Sequence, residues 1–210
     1  MTARTRGRFI TLEGVDGAGK SSHVATIRGI LEAHGIDAVI TREPGGTELG
    51  EQLRALLLRE KMGLRAETLL IFAARAEHIE RVIAPALEAG VYVVSDRFTD
   101  ATYAYQGGAR GLDRERIQRL ESWVQEGLQP DLTLLFDVPV EIAVARRQQA
   151  SLALDRFEQE DRRFFEKVRQ AYLQRVRESP HRIRVIDAAG TPDEVKSAVE
   201  RTVMDFLKLN

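Results

Sequence analysis

Residues Gly14-Val15-Asp16-Gly17-Ala18-Gly19-Lys20-Ser21 carry the spacing Gly-x-x-x-x-Gly-Lys-Ser, the pattern of a loop that wraps the phosphates of a nucleoside triphosphate. Glycines at those places let the backbone N–H groups turn inward as a nest. Lys20 brings a point charge to the outer phosphates, and the Ser21 hydroxyl can ligate Mg2+. A plain glycine turn ahead of a helix would need neither the lysine nor the hydroxyl. The flanks agree, since residues 8–13 (RFITLE) read as a short buried strand and Val24, Ile27, Ile30 and Leu31 recur at helical spacing. Strand, glycine loop and helix in that order constitute a P-loop, and a chain that contains one binds ATP or GTP.

The rest of the pattern extends that unit into a layered fold. Short apolar runs rich in β-branched residues lie at 9–12, 38–41, 91–95, 132–136 and 183–186, each long enough for a buried parallel strand. Helical patterns occupy 22–34, 50–60, 66–88, 114–126, 140–147, 156–177 and 192–207. Alternation of this kind predicts an α/β fold of P-loop NTPase type, with a five-stranded parallel sheet covered by helices on both faces. Ligands then gather at the carboxyl ends of the strands. With no repeat, linker or low-complexity tract, the 210 residues are expected to form one domain, 1–210.

Composition narrows the partners. Lys+Arg 31 against Asp+Glu 32 leaves a net charge of −1, which argues against a chain whose task is coating nucleic acid. The absence of cysteine excludes a disulfide scaffold and thiol catalysis and suits a reducing compartment. His23, His34, His78 and His181 show no metal-ligand spacing and are expected at the surface or in helix packing. No apolar stretch approaches a membrane span or a signal peptide, so the expectation is a cytoplasmic protein with no membrane partner.

Further motifs fall just after predicted strands. Thr41-Arg42-Glu43-Pro44-Gly45-Gly46-Thr47 follows the second strand, its Pro-Gly-Gly core marking a tight turn. After the third come Asp96-Arg97-Phe98, where a carboxylate could hold Mg2+ through water and a guanidinium could grip a phosphate with two hydrogen bonds. The segment 101–111 (ATYAYQGGARG) offers hydroxyls, an amide, rings and an arginine suited to a base and a sugar. Phe72 and Arg75 stand three apart and so share a helix face. The charge-dense stretch 145–163 reads either as a solvated helix face or as a lid that carries arginines over bound phosphates.

In order and over nearly the whole chain, the P-loop, TREPGGT, DRF, AYQGGARG and LDRFEQ segments resemble bacterial thymidylate kinase. The resemblance implies transfer of the γ-phosphoryl group of ATP to dTMP, with Mg2+, by a homodimer. Gly14, Val15, Asp16, Gly17, Ala18, Gly19, Lys20, Ser21 and Ser22 would then hold ATP and the metal, with Asp96 near the metal beside Ser21. Asp16 resembles the family's acidic residue that receives the deoxyribose 3′-OH. By the same resemblance Arg97 holds the dTMP phosphate, Thr102 and Gln106 meet the thymine edge, and Arg75 reaches a base carbonyl. Tyr105 resembles a ring that crowds a ribose 2′-OH, while Glu43, Pro44 and Arg54 line the acceptor pocket.

Three places depart from the family pattern. The stacking phenylalanine usually stands four residues before the base-reading arginine, whereas Phe72 stands three before Arg75 and Ile71 fills the fourth place. Ala101 replaces a usual serine. Most consequential is the arginine that meets the transferring phosphoryl group, which the family places in the P-loop or in the lid. Gly17 occupies the P-loop position, and Gln149-Ala150-Ser151 stands where a lid arginine is expected, leaving Arg147, Arg156 and Arg146 as candidates in that order. Three alternatives stay open: a kinase for another nucleoside monophosphate, a nucleotide-binding protein without kinase activity, and a GTPase switch. Against the switch, Asp187-Ala188-Ala189-Gly190 matches Asp-x-x-Gly but ends the last strand, and no Asn-Lys-x-Asp guanine reader occurs.

Overall fold

The computed structural model describes residues 6–149, 157 and 160–208. Five parallel strands, β1 (Phe9–Glu13), β2 (Ala38–Arg42), β3 (Tyr92–Asp96), β4 (Leu132–Asp137) and β5 (Ile183–Asp187), form one sheet in the order β2-β3-β1-β4-β5. All four pairings are parallel. Because β1 sits between β3 and β4, the chain leaves the middle of the sheet for one edge, returns, and then builds the other side. The carboxyl end of β1 therefore opens at the point where the strand order reverses, which is where such sheets bind ligands.

Helices α1 (Lys20–Ala33), α2 (Glu48–Arg59) and α3 (Leu64–His78) are followed by a widened π-type turn at Ile79–Ile83 and by α4 (Ala84–Glu88). The single helix expected over 66–88 is thus interrupted just before Pro85, which has no N–H to give to the preceding turn. α6 (Arg114–Gln125), α7 (Val140–Gln149), α8 (Arg162–Glu178) and α9 (Pro192–Lys208) match the remaining expectations, except that α8 starts late. Asp161 caps α8, its carboxylate accepting from the Phe164 N–H at 2.8 Å. Of the predicted lid, residues 150–156 and 158–159 lie outside the described residues. The sheet is covered on both faces, as the alternation of strand side chains requires. Ile10 and Leu12 pack with Ile27, Leu31, Val195 and Val199, while Phe9 and Val93 pack with Ile79, Ile83 and Leu87.

Residues 99–109, to which hydrophobic spacing assigned no element, form a short helix, α5 (Thr99–Thr102), that widens into π-type turns at Tyr103–Ala109. Tertiary contacts hold this segment in shape. A Cβ at Gly108 would lie 2.4 Å from that of Ala171, so only glycine lets α8 approach so closely. Asp100 is gripped by Arg182 (Nη1 to Oδ2, 2.7 Å; Nη2 to Oδ1, 3.0 Å) and by Arg175 (Nε to Oδ1, 2.8 Å). Arg182 also donates to Thr133 Oγ1 at 2.8 Å, tying α5 to β4. Asp100 and Arg182 are buried, and removing one side of a buried ion pair strands the other charge. Asp100→Ala is expected to lower unfolding free energy by about 3–5 kcal/mol in urea titrations. A loss below about 1 kcal/mol would show that the clamp is dispensable.

Candidate active site

The glycine loop runs from the end of β1 into α1 and places Lys20 against its own backbone, with Nζ donating to Gly14 O (3.0 Å) and Val15 O (3.1 Å). Burial, reinforced by the charge of Arg97, pulls this ammonium down to about 8 against the opposing pull of Asp16, Asp96 and Glu13. Ser21 Oγ donates to Asp96 Oδ2 at 3.1 Å, while Asp96 Oδ1 is buried with no hydrogen-bond partner. Sheet register brings these groups together, because Leu12 stands opposite Asp96 at the carboxyl ends of β1 and β3.

Arg97 follows at φ +74°, a left-handed conformation that costs a non-glycine residue about 1–3 kcal/mol unless its surroundings fix it. They do so here. Its N–H donates to Leu12 O (2.9 Å), its carbonyl accepts from Ser95 Oγ (2.8 Å), and the next N–H, of Phe98, donates to Glu13 Oε1 (2.7 Å). The guanidinium then reaches Asp16 Oδ1 (2.5 Å), Gly14 O (3.0 Å), Tyr172 OH (2.9 Å) and Tyr105 OH (3.1 Å). Tyr105 also donates to Asp16 Oδ2 at 2.8 Å. Burial pushes the Asp16 carboxyl up, yet Arg97, Lys20 and the Tyr105 hydroxyl outweigh it and hold it at about 2. Glu13 goes the other way. Burial, with Asp100 adding to it, raises its carboxyl to about 8 even though Tyr172 OH donates to it at 2.8 Å.

Beside Arg97 opens a cleft with a mixed apolar and charged lining. Asp16, Glu43, Pro44, Arg54, Arg75, Arg97, Thr102, Tyr105 and Gln106 all line it, as the motifs required. Phe72 does not. It is 2% exposed and packs with Tyr103 and Ile117, its ring 4.8 Å from the Arg75 guanidinium carbon. Ile71 and Phe98 present the apolar wall instead. Both offsets lie on the Arg75 side of the helix, and it is the packing of Phe72 against Tyr103 and Ile117 that takes it out of the cleft and leaves Ile71 to line it.

Arg75 is held rigidly, donating through Nε to Glu43 Oε2 (2.7 Å) and through Nη2 to Thr102 Oγ1 (3.1 Å), and its Nη1 is buried without a partner. Behind it lies His78, fully buried, with Nδ1 hydrogen-bonded to Glu43 Oε1 (3.0 Å) and Nε2 to Thr41 Oγ1 (2.7 Å). His78, Glu13, Glu67 and Tyr172 were not among the sequence candidates. Of the lid arginines, Arg146 is turned away, Nη1 donating to Ala188 O at 2.8 Å. Arg147 lies beside the P-loop, its guanidinium carbon 4.1 Å from the centre of the Phe165 ring, and Arg156 is outside the described residues. Among the described residues no helix is long and apolar enough to cross a membrane.

A phosphate-binding loop at the switch point of a parallel sheet, with a second cleft opening beside it, defines a P-loop phosphotransferase that passes a phosphoryl group between two bound molecules. The comparisons specify which. The thymidylate kinase family profile matches residues 12–199. Thymidylate kinase of Methylobacillus flagellatus is 57% identical over 201 residues, covering 96% of this chain and 98% of that protein. The Cupriavidus metallidurans thymidylate kinase is 59% identical over 198 residues, with coverage of 94% and 98%. The crystal structure of thymidylate kinase from Ehrlichia chaffeensis superposes with a TM-score of 0.77 at 32% identity, covering 94% of this chain and 99% of that one. The chain belongs to the thymidylate kinase family.

An ammonium held near 8 makes nucleotide binding depend on pH. Triphosphate oxygens favour its charged form, so binding takes up a proton above pH 8 and weakens as pH rises. Between pH 7 and pH 9 the affinity for ATP is expected to fall about tenfold, one decade per unit once the free ammonium is deprotonated. Calorimetry in buffers of different ionisation enthalpy should show the uptake at pH 8.5. ATP binding without proton uptake there would contradict the assignment to Lys20.

Proposed function

We propose the following roles for this chain's residues in the thymidylate kinase reaction, in which the γ-phosphoryl group of ATP passes to dTMP and leaves dTDP and ADP. The observation that carries the proposal is the pairing of the two sites through one residue. Arg97 donates to the carbonyl of Gly14 in the phosphate loop and also lines the acceptor cleft. The loop from Gly14 to Ser22 holds the triphosphate, with Lys20 exchanging its two loop carbonyls for phosphate oxygens. Ser21 and Asp96 fit Mg2+, since the buried Asp96 Oδ1 lacks a partner next to the Ser21 hydroxyl. Bound there, Mg2+ would offset charge on the phosphate oxygens.

On the acceptor side, Arg97 exchanges Asp16 for the dTMP phosphate, which frees the Asp16 carboxylate for the deoxyribose 3′-OH. Arg54 and Pro44 close the phosphate end, the Arg54 Nη1 donating to the Pro44 carbonyl at 3.0 Å. Thr102, Gln106 and Arg75 face the base, Ile71 supplies the apolar wall assigned by resemblance to Phe72, and Tyr105 crowds a 2′-OH. Phosphoryl transfer asks little covalent chemistry of the protein, so these groups act by in-line placement and by neutralising charge. The whole chain acts as one kinase domain with 145–163 as its lid, in the cytoplasm and as a homodimer. Leu49 and Leu56 on α2 and Leu69 on α3 are apolar and 40–56% exposed, which suits a face that meets a second copy.

A panel of nucleoside monophosphates with ATP tests the acceptor assignment. The expected result is a preference for dTMP over dUMP of roughly 10- to 200-fold, the range that packing of one methyl group provides. Preference for any other base would overturn it.

The phosphoryl-contacting cation is Arg147 in this reading, because it stands against the P-loop while Arg146 is bound elsewhere. Arg147→Ala is expected to lower kcat by about 10³, as loss of an arginine on the transferring group does, with ATP affinity little changed. Wild-type turnover in that variant would move the role to Arg156.

A further inference from the structure

Two donor and acceptor atoms in the base end of the cleft are left over by their neighbours, and the neighbours decide which atoms these are. Arg75 spends Nε on Glu43 and Nη2 on Thr102, which leaves Nη1 as a buried donor with no partner. Gln106, 2% exposed, donates Nε2 to Glu67 Oε1 at 2.8 Å, which leaves Oε1 as the amide's remaining acceptor. Both residues line the cleft and Glu67 does not. Glu67 is itself fully buried on α3, with Arg110 Nε 3.4 Å from Oε1 as its counter-charge.

A carboxylate accepts hydrogen bonds and cannot give them, so it tolerates only the NH2 end of the Gln106 amide. Turning the amide over would set Gln106 Oε1 against Glu67 Oε1 at hydrogen-bond distance, two acceptors facing each other without a proton. We propose that Glu67 is a specificity-determining positioning residue: by holding the Gln106 NH2 away from the cleft, it fixes the base-reading edge as a donor beside an acceptor. That order matches a ring carbonyl next to a ring N–H, the edge of thymine or uracil. Cytosine presents an amino group next to a bare ring nitrogen, the reverse order, and leaves both protein atoms unpaired. Glu67 therefore acts against cytosine nucleotides without touching any nucleotide. The inference rests on the assignment of the cleft to the base of dTMP.

The test is Glu67→Gln in the full chain. A glutamine of the same shape offers both a donor and an acceptor to Gln106, so either orientation of the Gln106 amide is satisfied. Dissociation constants for dTMP and dCMP and steady-state constants with each are compared with the wild type. The expected result is a fall of roughly 10- to 100-fold in the preference for dTMP over dCMP, the scale of one hydrogen bond to a charged group. The change should appear in KM more than in kcat, with the KM for ATP unchanged. A folded variant with its preference intact, or one that loses both nucleotides equally, would overturn the proposal.

A second measurement needs no variant. In the free wild-type enzyme the Gln106 side-chain NH2 should show one proton slowed in exchange with solvent by its hydrogen bond to Glu67, and dTMP should leave that protection in place. An NH2 that exchanges freely, or one that moves onto the base, would equally overturn it. Turnover of dTMP by the wild type tests the underlying assignment separately, because the state of the free-enzyme amide does not depend on it.

Discussion

Everything at this site depends on a left-handed arginine placed among a carboxylate, a loop carbonyl and two phenols. Arg97 lies at the end of β3, next to the end of β1, and its guanidinium makes four hydrogen bonds to Asp16, Gly14, Tyr105 and Tyr172. Positive charge is concentrated here, with Lys20 also buried, because both substrates are phosphates. A site built only of cations would not hold together without them. Asp16 and Asp96 supply the counter-charge within the free protein, and Arg97 and Lys20 in turn hold Asp16 ionised far below the usual carboxylate range. With the roles proposed for Lys20 and Arg97, binding is an exchange in which phosphate oxygens replace a carboxylate and carbonyls that already satisfied the same donors.

The rest of the cleft follows the same logic. Glu43 and Glu67 are buried, and each accepts a hydrogen bond from a side chain that lines the cleft, Arg75 and Gln106 respectively. A buried carboxylate is costly unless paired, and pairing it with Arg75 or with Gln106 also removes their rotational freedom. His78 extends the arrangement to Thr41 on β2. Recognition atoms on α3 and on the 103–109 turns are thereby referred to the sheet, so their spacing is that of a rigid scaffold rather than of two loops.

Much of this was legible in the sequence, and the boundary has a physical basis. All five strands were found within a residue or so, the inner β1, β3 and β4 because burial on both faces demands continuous apolar runs, and the partly exposed edges β2 and β5 because they are rich in β-branched residues. The P-loop and the residues lining the cleft were found because each belongs to a contiguous motif. Glu13, Glu67, His78 and Tyr172 were missed for the opposite reason. Glu13 and Tyr172 lie 159 positions apart and meet only in the fold, and a charged residue destined for burial looks like any surface charge before its partner is known. Phe72 was misplaced because the three- and four-residue offsets from Arg75 share one helix face, and only the packing of Phe72 with Tyr103 and Ile117 decides that Ile71 lines the cleft. The π-type turns at 79–83 and 103–109 follow from Pro85 and from packing against α8, neither of which leaves a periodic signal.

Packing also explains why position 17 of the loop carries no cation. Gly17 adopts φ +87°, and a Cβ there would lie 2.3 Å from the carbonyl oxygen of Ala143 on α7 and 3.0 Å from Arg147 Cγ. No side chain fits, so an arginine at 17 is excluded by backbone conformation and by the close approach of α7. That approach is also what carries Arg147 onto the loop, with the Phe165 ring under its guanidinium. The space denied to a side chain at 17 and the position of Arg147 beside the loop are two consequences of a single packing contact. A larger residue at 17 would push α7, and Arg147 with it, away from the loop. On the role proposed for Arg147, how tightly the loop and α7 pack then sets whether the cation comes from the loop or from the helix above it, before any phosphate is bound.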